Sequence, residues 1–310
     1  MRILLAGASG FIGRNFILKA PREWHIWGVY RSNAGVKQLA SGFPNTSILQ
    51  CNLANVQEVR HQLANLPDHF DIGLFVWGNS DIGLSCRAPL DDLHDNVTSL
   101  ISLITCFHFR KFIFMSSGTV YLGHRGLVDD QTRCYPSVPY GIAKLSSELY
   151  VRYFAKQTEN IEQYVNIRFF GAYGPGEPPR KIYTKLIKRF CVERKSDYTL
   201  VGDGTNLIDA MYIDDTIAAL KQIVLSEEAD LTVDLCAGEP LTLNGLVSRV
   251  AHILGVEALQ IRHSGETKEC ITFYASPQQM ERIYGFKMQI PLEEGIPKLR
   301  DHLLGETNHV

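Results

Sequence analysis

Tyr140 and Lys144 lie four residues apart in Tyr140-Gly141-Ile142-Ala143-Lys144, a spacing that sets a phenol and an ammonium on one face of a helix. Both groups titrate near pH ~10 when free. A neighbouring ammonium stabilises the phenolate, and an oxidised nicotinamide nearby would add to that, bringing the tyrosine into range for general acid/base work. Upstream, Ser116-Ser117-Gly118-Thr119-Val120-Tyr121 follows the apolar run 112–115 (FIFM). If that run is a strand, a hydroxyl stands at the carboxyl edge of a sheet, where open α/β sheets take their ligands. A hydroxyl that orients a substrate oxygen and a tyrosine that moves its proton then form one set.

A second constellation lies at the start of the chain. Gly7-Ala8-Ser9-Gly10-Phe11-Ile12-Gly13 follows a short apolar run and precedes an amphipathic one. Glycines at this spacing allow a tight strand-to-helix turn, close approach of backbone N–H groups to a pyrophosphate, and close packing of helix on strand. That context is what makes three glycines a dinucleotide fingerprint. The base of the second strand reads Tyr30-Arg31-Ser32 with no acidic residue. An acid there would bind the adenosine ribose hydroxyls, whereas a cation suits a 2′-phosphate. Arg31 and Arg14, with Ser32 alongside, therefore favour NADP(H), with NAD(H) the alternative.

The elements that must position these groups alternate. Strands are expected at Arg2–Ala6, 24–30, 46–50, 72–77, 112–115 and 163–169, and helices at Phe11–Lys19, 56–66, 90–107 and 139–156. Strands alternating with helical patterns mean βαβ units and right-handed crossovers. The fold class is α/β: a Rossmann-type, doubly wound parallel sheet with a smaller α+β C-terminal region for substrate. Residues 172–179 (AYGPGEPP), with two glycines and three prolines, break the rhythm. The dinucleotide-binding domain is assigned to 1–172, with 206–232 returning to it, and the substrate-binding region to 173–205 and 233–310. A helix is expected at 181–193.

The 310 residues are 45% hydrophobic and 21% charged, a globular composition with no low-complexity tract. With 31 basic and 33 acidic residues the net charge is −2, so nucleic acid and anionic membrane are not expected as partners. No run approaches the roughly 20 apolar residues of a membrane span. The N-terminal MRILLAGASGFIG is too short and glycine-broken for a signal sequence. Seven scattered cysteines without a C-x-x-C pair fit reduced thiols in a cytoplasmic protein. The ten histidines show no ligand spacing, and no metal site is expected. His94 and His124 read as solvated, and the three tryptophans as packing.

Taken together, the chain resembles the extended short-chain dehydrogenases/reductases, the group of sugar-nucleotide epimerases, dehydratases and ketoreductases. The resemblance runs through GASGFIG, Asn52-Leu53, Asp95-Asn96-Val97, SSGTVY, YGIAK, Arg168-Phe169-Phe170-Gly171-Ala172-Tyr173-Gly174-Pro175, Gly202-Asp203-Gly204, Asp209 to Asp215 and Gly238-Glu239-Pro240-Leu241-Thr242. It implies Tyr140 as catalytic acid/base and Ser117 as the hydroxyl on the reacting sugar oxygen. Lys144 would hold the nicotinamide ribose while lowering the tyrosine pKa. Gly7, Gly10 and Gly13 would hold the pyrophosphate with the Phe11 and Ile12 amides, and Asn52-Leu53 would lie by the adenine. Trp77-Gly78 would run beside the cofactor and the loop of Phe170 near the nicotinamide. A homodimer built on the helices at 90–107 and 139–156 is also implied.

Departures from the family pattern narrow the reaction. Dehydratases of the family place Asp-Glu directly after the catalytic hydroxyl, where this chain has Gly118-Thr119, so sugar dehydration is not expected. The usual His-Leu-Ala-Ala after the fourth strand is Trp77-Gly78-Asn79-Ser80, and Asn79 joins the candidate substrate contacts. Two usual diphosphate contacts are replaced, by Gly171 and by Ile208. Arg180 and Lys181, with Lys185 and Arg189, are the substitute cations; a solvated helix face is the competing reading. The expected reaction is NADPH-dependent reduction of a keto group on a deoxysugar nucleotide, because a reductase must exchange cofactor with a pool whose reduced form is chiefly NADPH. The alternative is an NAD-dependent nucleotide-sugar 4-epimerase. A non-catalytic dinucleotide sensor is the third reading, opposed by the intact Ser117, Tyr140 and Lys144.

Overall fold

The computed structural model describes residues 1–267 and 270–307. Seven strands form the central sheet: β1 (Arg2–Ala6), β2 (His25–Tyr30), β3 (Thr46–Gln50), β4 (His69–Phe75), β5 (His108–Met115), β6 (Ile161–Phe169) and β7 (Leu231–Leu235). They lie in the order β7-β6-β5-β4-β1-β2-β3, and every neighbouring pair is parallel. The order reverses between β1 and β4, which opens a crevice at their carboxyl ends.

β1 shows why the sequence takes this form. Its apolar residues face both ways. Ile3 and Leu5 enter one core with Phe16 and Ile17 of α1 (Phe11–Lys19). Leu4 and Ala6 enter the other with Phe112 and Phe114 of β5 and with Leu100 and Val151 from the helices on that side. A strand covered on both faces reads as a continuous apolar run. Full burial of one such aromatic or aliphatic side chain contributes roughly 1.5–3 kcal/mol.

Two helices carry the site. The run 89–104, α2 here, stands where one helix was expected over 90–107. It instead passes through a π turn at His94–Thr98 between Pro89–Leu93 and Ser99–Ile104. The Ser99 amide and hydroxyl both donate to the His94 carbonyl five residues back, and the widened turn carries Asn96 into the interior. α3 (Pro139–Gln157) starts on a proline, whose fixed φ suits a first helical position. Its buried face is Tyr140, Ala143, Lys144, Ser147, Glu148, Val151 and Phe154, the expected three-and-four spacing.

After β6 the chain leaves the sheet and returns through α4 (Ile213–Leu225) into β7. The expected boundary at 232/233 therefore falls inside β7. The helix expected at 181–193 is shorter, Ile182–Ile187, and runs into a second π turn at Lys188–Val192. The second region contains small strand pairs, including Asp197–Val201 with Gln260–Ser264. One pair crosses between regions: Thr272–Ala275 pairs with Arg125–Val128 from the first half. Among the described residues no helix is long and apolar enough to cross a membrane.

Candidate active site

The cradle forms at the turn from β1 into α1. Gly7 has φ +96°, a conformation open to glycine. A Cβ on Gly13 would stand 2.2 Å from the Gly7 carbonyl oxygen, so only glycine lets α1 approach the strand this closely. Gly10 is the N-cap of α1 and brings no capping side chain. The first-turn amides, those of Phe11 and Ile12 among them, have no partner within the helix. Unfilled amides, the positive end of the helix and a turn at the switch point fit the pyrophosphate of a dinucleotide. The Arg14 amide closes onto the Gly10 carbonyl, and its side chain is half-buried.

At the end of β2, Arg31 and Ser32 are exposed. The Arg31 guanidinium is ion-paired with Asp95 and lies 5.9 Å from the Trp77 ring centroid. The cation expected to meet a 2′-phosphate is thus ion-paired with a carboxylate from α2. Asn52 makes a turn at the end of β3, its Oδ1 accepting from the Ala54 amide at 3.2 Å. Leu53, expected beside the adenine, is fully buried in the core and offers no side-chain surface to a ligand. Trp77, at the end of β4, is largely buried.

Ser117, Tyr140 and Lys144 come together at the carboxyl end of β5. Ser117 caps the short turn Gly118–Tyr121, its Oγ accepting from the Thr119 amide at 3.2 Å and the Thr119 hydroxyl at 2.9 Å. α3 packs directly on that turn: a Cβ on Gly141 would lie 2.8 Å from the Thr119 carbonyl oxygen. The Tyr140 amide donates to Ser85 Oγ at 3.2 Å, and Lys144 Nζ donates to the Met115 carbonyl at 3.1 Å. Lys144 Nζ is 5.8 Å from the Tyr140 ring centroid.

Electrostatics in the chain alone run against the expectation that Lys144 lowers the tyrosine. Burial pushes the Tyr140 phenol up to about 12; a hydrogen bond with Ser117 pulls against this and Asp92 adds to it. Burial also brings Lys144 down to about 8, with Asp92 and Glu148 opposing. At neutral pH the tyrosine is a neutral acid. A base is obtained only when positive charge arrives next to it.

Of the remaining expected contacts, Gly118 lies under the Phe170 ring, whose loop is tied to β7 by the Phe170 amide on the Leu235 carbonyl. Gly171 accepts from the Met211 amide through its carbonyl at 3.1 Å. Arg180 bridges to the loop after β4, donating to Asp81 and to Ser80 Oγ, each at 3.2 Å. Lys181 and Lys185 are exposed. Arg189 leaves the proposed cation cluster: it is held at 2.7 Å by both Glu193 and Asp197. His94 bonds Thr98 and His124 the Arg133 carbonyl.

Residue-type reasoning passed over a buried polar group beside the pair. Asn79 Nδ2 donates to Asp92 Oδ1 at 2.7 Å and Asn96 Nδ2 to the same oxygen at 3.1 Å. Both Asp92 and Asn96 are buried. Sequence reasoning did not single out Asp92; the one nearby signal was the unusual Asn79.

Comparison with known proteins adds the following. A model of the NAD dependent epimerase/dehydratase family matches residues 3–233. The UDP-glucose epimerase YtcB of Bacillus subtilis, itself described as uncharacterized, is 26% identical over 83% of this chain and 84% of its own. A putative UDP-glucose 4-epimerase of Methanocaldococcus jannaschii is 24% identical over 96% of each chain. The crystal structure of the UDP-glucuronic acid 4-epimerase of Bacillus cereus, in complex with UDP-glucuronic acid and NAD, is similar with a TM-score of 0.87 at 21% identity. That similarity covers 99% of this chain and 100% of that one.

Proposed function

The chain belongs to the NAD-dependent epimerase/dehydratase family of extended short-chain dehydrogenases/reductases, and from that premise we propose that it is a nucleotide-sugar 4-epimerase using NAD. The observation that carries this is the convergence of Ser117, Tyr140 and Lys144 at the carboxyl end of β5, in the same sheet whose β1 leads into the glycine cradle, with no carboxylate at 118 or 119 to eliminate water. The relatives named as 4-epimerases support it over the reductase expected from Arg31, and so does the pairing of Arg31 with Asp95.

The residues divide the work. The α1 N-terminus and Gly7, Gly10 and Gly13 would hold the pyrophosphate, and Lys144 the nicotinamide ribose. When bound, the dinucleotide supplies a hydride acceptor and then, once reduced, the donor. Ser117 Oγ orients the C4 oxygen of the sugar. Tyr140 Oη takes the hydroxyl proton as the C4 hydrogen leaves, and returns it to the same oxygen after the keto sugar has turned its other face. Positive charge from Lys144 and from the oxidised ring would stabilise the phenolate before the first transfer and after the second; between them Tyr140 is the neutral phenol. Arg180 and Lys181 would meet the substrate diphosphate, Arg180 by exchanging Asp81 for phosphate.

The ketoreductase reading keeps one specific support, the absence of any acid at the end of β2. Acid denaturation of the purified protein and chromatography of what it releases separates the two. Near one NAD(H) per chain, with interconversion of C4 epimers of a UDP-sugar, is the expected result. An empty protein, or one carrying NADP(H), that consumes NADPH on a keto-sugar nucleotide would overturn it.

We also propose a homodimer through α2 and α3. Leu90 and Leu93 of α2 and Ile142, Leu149 and Tyr153 of α3 are 44–62% exposed, an apolar surface of the kind that marks an interface.

A further inference from the structure

Asp92 is a charged group that the mechanism above does not use. It is 3% exposed, and its Oδ2 has no hydrogen-bond partner among the described residues. Oδ1 is held twice, by Asn79 from the loop after β4 and by Asn96 from the π turn. Asn79 is itself fixed in a tight turn, its Nδ2 donating to the Asp81 carbonyl at 3.0 Å and its Oδ1 accepting from the Asp81 amide at 2.9 Å. An ionised carboxylate this deeply buried needs compensation. The segment Pro89–Leu93 that carries Asp92 packs on α3, and its charge acts on Lys144 and Tyr140 of that helix. The other charges near this group are Asp95, on the same helix as Asp92, and Glu148, which acts on Lys144 from α3. Asp95 is engaged by Arg31 and Glu148 by Arg168. Among the described residues Asp92 has no such partner, and Lys144 makes no ion pair.

We propose that Asp92 is the built-in counter-charge of Lys144, a positioning residue held by Asn79 and Asn96 that keeps the lysine protonated and so sets the pH window in which Tyr140 works. The unusual loop Trp77-Gly78-Asn79-Ser80 gains a purpose by this reading: Asn79 is the clamp on the carboxylate. The signs of the two couplings agree. A negative charge favours the ammonium of Lys144 and disfavours the phenolate of Tyr140. Neutralising Asp92 therefore moves both titrations to lower pH.

The inference rests on Tyr140 and Lys144 being the working pair. Its test uses the purified full chain without sugar nucleotide, so it holds or fails regardless of which sugar is turned over. Lysines are reductively methylated with 13C-labelled formaldehyde, the Lys144 resonance is assigned by its loss in Lys144→Arg, and its titration is followed in the native chain and in Asp92→Asn. The lysine titration is expected to fall from about 8 by about half a pH unit or more, as for a buried cation that loses an opposite charge. An unchanged value overturns the proposal. The reciprocal measurement leaves Asp92 in place: in Lys144→Met its carboxyl, read by 13C shift, is expected to titrate higher than in the native chain, and no change there overturns the proposal equally. In turnover, Asp92→Asn is expected to carry the alkaline limb of the kcat/KM profile to lower pH, with Asp92→Glu restoring it. A lower rate with the limb unmoved would mark a merely structural carboxylate.

Discussion

Removing one oxygen from Tyr140 separates chemistry from binding. In Tyr140→Phe the ring still fills its place at the start of α3, but no atom remains to move the proton. Turnover is expected to fall by roughly 10²–10⁴-fold, the usual contribution of a general acid/base, while dinucleotide binding by fluorescence titration changes little. A comparable loss of binding would place Tyr140 in the cofactor site alone and revive the sensor reading. At this scale the sequence was informative where spacing encodes a shared face, as for Tyr140 and Lys144. It misled where contact partners decide. Arg189 looked like a free cation because Asp197 lies eight residues away across a turn. Asp92 could not be read as buried, because its clamp Asn79 lies thirteen residues earlier, before the short helix Ile82–Arg87, and the two meet only in the folded chain.

Elements are held in register by buried polar groups that no periodicity reveals. Lys111 on β5 is fully buried, and its ammonium donates to the Ser226 carbonyl and, at 3.3 Å, to that of Ile223. It thereby closes the C-terminal end of α4, where a cation also meets the favourable end of the helix dipole. Lys111→Met keeps the length but leaves those carbonyls unmet, and urea unfolding is expected to show a loss of about 1–3 kcal/mol. A second link joins α3, β6 and β7: Glu148 pairs with Arg168 at 2.9 Å, Arg168 donates to Tyr121 Oη at 2.7 Å, and Tyr121 bonds Asp234 at 3.0 Å. Burial raises Asp234 to about 7 against the pull of Tyr121 and Arg168. Because the folded state holds this proton more tightly than an unfolded aspartate near pH ~4, the group favours the fold at low pH. That contribution is lost as pH rises through about 7. Stability of the native chain should carry a term falling by up to ~1.4 kcal/mol per pH unit over that range, and Asp234→Asn should remove it, as read from urea midpoints at several pH values. The strands and the glycine turn were legible because apolar runs and glycines are local signals. The two π turns were not, since the single residue that widens each leaves no mark on the hydrophobic pattern.

For the whole molecule, the exposed apolar faces of α2 and α3 make a concrete claim about assembly. Leu149→Arg, on a side chain 55% exposed, should shift sedimentation from dimer to monomer while leaving the circular dichroism unchanged; a monomeric native chain would refute the dimer directly. The path of the chain also sets an order in time. β7 completes the sheet only after the detour through the second region, and until it arrives Val165–Phe169 of β6, which pair with Leu231–Leu235, form an open edge of the kind that recruits stray strands. The 66 residues from 170 to 235 take roughly 3–13 s to synthesise at about 5–20 residues per second. During those seconds the nascent chain carries a nearly finished nucleotide cradle with one side of its sheet unguarded, and this is when a chaperone would be needed most.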